Sequence, residues 1–162
     1  MSRLRGASGR SRGQSLVEFA ITLPIIVFIV LGLIDLGRGV FAYNTLAQAA
    51  RQGNRMAIVD QDVSRVQSAA IAAAPTLGLG SSNVDVCFKE ADTSERDCNA
   101  PSTDNCPAAS RVIGCLAVVE AHTTFTPLTP VISTLWSSIA MSSTSIGPIE
   151  YVCPVSPQTT CP

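Results

Sequence analysis

Residues 16–34 form an apolar run interrupted by a single charge, Glu18. At about 1.5 Å per residue, a helix of that length reaches roughly 28 Å, close to the hydrocarbon thickness of a bilayer. One membrane-spanning helix is therefore the first expectation. Four arginines, Arg3, Arg5, Arg10 and Arg12, and no acid precede Gly13. Basic residues beside a span stay preferentially on the cytoplasmic side, so the start is expected inside and everything after residue 40 outside. Taking those four from the 11 basic residues leaves 7 against 12 acids, so a chain starting at Gln14 has a net charge of -5. A basic leader precedes an acidic body.

The cysteines agree with that orientation. Cys87, Cys98, Cys106, Cys115, Cys153 and Cys161 all lie in the external half. An even number in an oxidising compartment reads as up to three disulfides, and the sequence does not choose among the pairings. A cleaved secretory signal with its site near Ala47-Gln48-Ala49 is the alternative. Against it, the apolar run is longer than a usual signal core, and Asp35 and Arg38 separate the run from those alanines.

With 162 residues there is room for the span and one small domain. Residues 1–13 carry no apolar periodicity and should be unstructured until something reads them. A helix is expected from about Ser15 through the membrane and beyond, because Leu36, Val40, Tyr43, Ala47, Ala50 and Ala57 mostly keep helical spacing. Pro24 cannot donate to the carbonyl of Ala20 and should kink it. Gly37 and Gly39 weaken it past the membrane edge; with Gly32 and Ala42 they offer a small-residue surface for helix packing, or simple flexibility at the exit.

Asp60 or Asp62 can cap a second helix with Val63, Val66, Ala70 and Ala73 on one stripe, ended by Pro75. After a turn at residues 77–83, residues 84–88 read as a short strand and residues 89–110 as a polar loop. Residues 111–125 give the clearest strand pattern. Ile113, Cys115, Ala117, Val119, Ala121 and Phe125 share one face, Glu120, His122 and Thr124 the other, so this should be the centre of an antiparallel sheet. Thr129-Pro130 should open a helix whose stripe of Val131, Ile132, Leu135, Trp136 and Ile139 covers the sheet. Residues 141–151 look like a further strand broken at Gly147-Pro148, and Cys153 can pair locally with Cys161. The expected class is α+β: a helical stalk bearing a small disulfide-containing antiparallel head packed by helices. Its divisions are a leader at 1–13, a span and extended helix at 14–59 and an extracytoplasmic domain at 60–162.

Little in the chain speaks for catalysis. His122 is the only histidine and reads as a surface residue. No Cys-x-x-Cys pair supports a zinc site, and no phosphate loop, nucleophile elbow or His-Glu-x-x-His motif occurs. The expectation is no enzyme, no cofactor and no metal, with neither a small-molecule substrate nor a nucleic acid, since topology accounts for the four arginines. Glu18 stands apart, because a charge held at the bilayer centre costs roughly 2.5 to 3.5 kcal/mol, less near the edge, and so marks function or a partner. Gly13 fits beside it: without a Cβ it lets a protease approach an extended backbone. Cleavage after Gly13 would free an α-amino group on Gln14 and make Glu18 the fifth residue. In a bundle of such helices that carboxylate and a neighbouring amine neutralise each other and report register.

Gly13-Gln-Ser-Leu-Val-Glu-Phe-Ala-Ile-Thr-Leu-Pro24, then Asp35-Leu-Gly-Arg38 and Asn44-Thr-Leu-Ala-Gln-Ala-Ala-Arg51, resembles the N-terminal signature of TadE/TadG-like proteins. These are pseudopilins and associated subunits of bacterial tight-adherence (Tad, or Flp) pili. The resemblance covers about residues 13–55. It implies processing by a prepilin peptidase between Gly13 and Gln14, recognition and assembly through Glu18, Phe19 and Pro24, and residence in the bacterial cytoplasmic membrane. It also implies helix packing with other pilus subunits. A permanently anchored scaffold or adhesin of the same system is the alternative within the family, and a domain released by signal peptidase the one outside it.

Overall fold

A computed structural model describes residues 11–90, 97–98, 106, 114–129, 133–134 and 137–150. The elements are α1 (Ser11–Ala57), α2 (Val63–Ala72), β1 (Val84–Glu90), β2 (Cys115–Phe125) and β3 (Ile139–Pro148), with short 3-10 turns at Pro75–Leu77 and Ser81–Asn83. The three strands form one antiparallel sheet in the order β1-β2-β3. The class is α+β, with the predicted central strand in the centre.

α1 runs through Pro24, Gly37 and Gly39 as one helix of 47 residues. It begins at Ser11, so residues 11–13 are helical rather than unstructured as the sequence suggested. Its outer half is part of the head. Ala42, Leu46, Ala49, Ala50, Gly53, Asn54 and Ala57 are buried at helical spacing, whereas Leu36, Val40 and Tyr43 of the expected stripe are exposed. The reason is steric: small side chains let the helix backbone approach the sheet closely. A Cβ on Gly53 would lie 3.0 Å from Val119 Cγ1 and 3.1 Å from Ala70 Cβ.

Asp62 is the N-cap of α2, accepting from the Ser64 and Arg65 backbone N–H groups. Asp60 instead accepts from the Asp62 backbone N–H at 3.0 Å and pairs with Arg65 at 2.8 Å. Pro75 opens a 3-10 turn that closes at Gly78, whose φ of 60° suits a residue without a Cβ. Val66 and Ala70 of α2 pack with Val84, Phe88, Ala117, Val119 and Ile149 in the main core, and full burial of a side chain such as Phe88 is worth about 1.5–3 kcal/mol. Leu46, Ala49, Ala50, Ala74, Leu79 and Ala121 form a second cluster nearer the N-terminal half of α1.

Three boundaries differ from expectation. Lys89 and Glu90 continue β1 because Leu116 and Cys115 lie opposite them, so the loop starts later. Gly114, at φ 111°, turns the chain into β2, so the extended run does not pass through it. Ile139 begins β3 instead of extending a helical stripe, because it pairs with Phe125. Pro148 ends β3 on a sheet edge, where its missing N–H costs no ladder bond. The rest of the predicted Pro130 helix stripe, Ile113, and the Cys153 and Cys161 pair lie outside the described residues.

Disulfides join Cys87 to Cys98 and Cys106 to Cys115. Both fasten the long β1–β2 connection back onto strand residues, and Cys106 also donates its backbone N–H to the Phe88 carbonyl at 3.3 Å. The polar connection therefore has the staple its length calls for.

Candidate functional site

Every described side chain from Gln14 through Leu31 is exposed, on all faces of α1. The most apolar stretch of the helix is long enough to cross a membrane and none of it is buried within the chain, which separates it from the core helix of a globular fold. The residues expected to serve processing and recognition, Gly13, Gln14, Glu18, Phe19 and Pro24, all lie on this exposed shaft. A Cβ on Gly13 would touch nothing. Gln14 and Glu18 are one turn apart and share a face. The Glu18 carbonyl accepts from Thr22 Oγ1 at 2.7 Å, six residues before Pro24 interrupts the ladder. Phe19 projects outward beside Glu18. None of this apolar surface is buried among the described residues.

The sequence reading missed a second feature. Asp35, one residue past the apolar run, is only 5% exposed and ties the helix to the far end of β2. Its Oδ1 accepts from the Leu128 backbone N–H at 3.0 Å and from Arg38 Nη1 at 3.1 Å. Its Oδ2 accepts from the Thr129 backbone N–H at 2.7 Å and from the Thr129 hydroxyl. These bonds, led by the Thr129 hydroxyl and the Leu128 amide, hold the carboxyl at a pKa of about 2, below its ordinary 3.8. Arg38 in turn lies over the Phe125 ring, 5.4 Å from its centroid. The signal was available: an acid closing an apolar run, with arginine three residues on. Its partners, 93 and 94 residues away, were not.

The glycines expected to serve packing divide. Gly39 faces the Phe125 ring and Ala42 is buried in the head, whereas a Cβ on Gly32 or Gly37 would meet nothing.

On the sheet, Asp85 and Glu120 are cross-strand partners, and His122 Nδ1 approaches Asp85 Oδ2 at 3.3 Å. Burial, then the hydrogen bond and charge of Asp97 and the charge of Asp85, push Glu120 above the usual carboxylate range, with His122 opposing. Among the described residues no group of three or more acids, histidines or cysteines is arranged to hold a metal.

A long apolar helix, bare along its first half and built into a disulfide-tied α+β head along its second, fits a membrane-anchored class of protein. A family model described as TadE-like protein matches residues 13–55, from the exposed glycine to the last buried turns of α1. That is the family whose signature residues 13–24 resemble; it is pilus-related and not a family of enzymes. No curated protein and no solved structure matches the chain.

Proposed function

We propose that this chain is a minor pilin or pseudopilin-like subunit of a bacterial tight-adherence pilus. It enters the cytoplasmic membrane with its basic leader inside and its head outside. A prepilin peptidase cuts between Gly13 and Gln14, and the mature helix packs with other pilus subunits through Glu18, Phe19 and the apolar shaft. The leader is residues 1–13, the span and stalk 14–59, and the extracytoplasmic domain 60–162. The observation that carries this reading is the TadE-like match starting at Gly13, on a helix whose apolar stretch is not buried among the described residues. It is tested by the intact mass of the protein expressed with and without its peptidase. Loss of residues 1–13 only with the peptidase supports the proposal; a product starting near residue 50 points to signal peptidase and sinks it.

One observation favours the alternative of a permanent anchor. The Gly13-Gln14 bond lies inside α1. A peptidase that needs extended backbone must first unwind the opening turn, whose N–H groups have no intrahelical partners to hold it. Full-length protein in the presence of active peptidase would decide for that anchor.

A further inference from the structure

The Asp35 bonds fix how far the head sits from the end of the apolar run. Leu128 and Thr129 donate to the side chain of a residue one position past Ile34. Helical side chains lean toward the N-terminus, so that carboxylate points back toward the membrane rather than away from it. The turn after β2 is thereby held level with the hydrocarbon boundary of a helix spanning at residues 16–34. Leu128, tethered there by its own N–H, is 72% exposed. Phe125 packs beside Gly39, five residues past Ile34 and therefore about 7.5 Å further out, within the headgroup layer. Arg38 lies over its ring with its side chain partly open to solvent, a placement that suits a guanidinium among phosphates.

The apolar surface around this turn is continuous with the span. A groove of about 510 Å³ starts at Gly32, within the run, and passes between α1 and the sheet end, lined by Leu36, Val40, Phe125, Pro127 and Ile139. Ile139 and Val40 in its lining remain exposed at 41% and 53%. In water this would be an unusual patch to leave open on a small head. At the depth set by Asp35 it is not in water.

We propose that the rim of the head at residues 125–129, with the start of β3, is seated in the phospholipid leaflet from which α1 emerges. Leu128 and Pro127 enter the acyl region, the groove beside Gly32 takes acyl chain, and Arg38 and Phe125 lie at the phosphates. The occupant is lipid because the groove begins inside the hydrocarbon thickness, where lipid is the solvent. The head is thus a second membrane contact and not a domain hanging free of its anchor. The inference rests on α1 spanning a bilayer.

The full chain, carrying Trp136→Phe and one new tryptophan at a time, is reconstituted in phosphatidylcholine vesicles with or without bromine on the acyl chains. Val27→Trp reports the span, Leu128→Trp the rim, and Arg55→Trp an exposed position 21 residues beyond Ile34. Pro127→Trp repeats the rim measurement independently, with circular dichroism verifying that each variant is folded. The expected result is loss of most emission at Val27→Trp, Leu128→Trp and Pro127→Trp in brominated lipid, and none at Arg55→Trp. Quenching at Val27→Trp alone overturns the rim contact and leaves the span standing. If the rim tryptophans are also shielded from aqueous iodide, the occupant is a second copy of the chain. Absence of quenching at Val27→Trp overturns the spanning helix itself, and the rim contact with it.

Discussion

Gly147 of β3 passes so close to Asn54 of α1 that a Cβ on it would lie 2.8 Å from the nearer atom of the Asn54 side-chain amide. With its amide turned to satisfy its neighbours, Asn54 donates to the Ala117 carbonyl at 3.0 Å and accepts from the Gly147 N–H at 3.1 Å. One buried side chain thus ties the helix to two strands. Gly147→Ala forces that contact apart and should cost roughly 1–3 kcal/mol, as overpacking does in well-filled cores. Urea unfolding of the full chain in detergent reads it; an unchanged midpoint would mean the helix does not approach the strand so closely.

The Asp35 staple has a pH signature. Its carboxyl titrates at about 2 in the fold and at 3.8 when free. The unfolded chain therefore binds the proton first, and the stabilisation is fully present above about pH 4 and lost as pH falls toward 2. Asp62, lowered chiefly by the Ser64 hydroxyl, acts in the same direction. Asp35→Asn should lower the melting temperature at pH 6 and remove part, not all, of its decline in acid. A variant whose melting profile overlays the parent from pH 6 to pH 2 would sink the staple.

Glu120 works with the opposite sign. Its pKa is raised above 4.5, so the fold holds the proton more tightly than the unfolded chain does. Stability falls as pH rises through that window and stays lower above it. Glu120→Gln should melt higher than the parent at pH 7 and gain least at pH 4. A loss at pH 7 would show that the carboxylate is needed by its neighbours on the sheet.

Reduction should loosen the head without releasing the helix. Replacing Cys106 and Cys115 together by alanine opens a short loop whose closure is worth about 2–4 kcal/mol. Protease mapping then checks where the chain opens: cuts should gather in the β1–β2 connection before any appear within α1.

Gly13→Ala should block removal of the leader, and Glu18→Ala should leave it cut but poorly assembled. Leader removal is read by mass and assembly by counting pili. Normal piliation with Glu18→Ala would end the idea that this carboxylate neutralises a neighbouring amine.

The span, the Asp62 cap, the central strand and the edge proline were legible because each is written in neighbouring residues. An apolar run, a cap and alternation are local patterns. The face that α1 turns toward its own head was not legible, because it is made of alanine, glycine and asparagine. Such a stripe is chosen for closeness and leaves a weak hydrophobic pattern, while Leu36, Val40 and Tyr43 give a stronger one on the exposed side. Ile139 was misread for a related reason: its strand partner, Phe125, lies across a long connection. The helix beginning at Ser11 was not legible, since no acid in its first turn announces it.

α1 is also the first element to be made. Asn54 precedes its partner Gly147 by 93 residues, which at roughly 5–20 residues per second is about 5 to 19 seconds of synthesis. For the whole of that interval the stripe from Leu46 to Ala57 lacks the complete β3, and for most of it β2 as well. The head must close around a helix that is already fixed, and the last strand decides when it does.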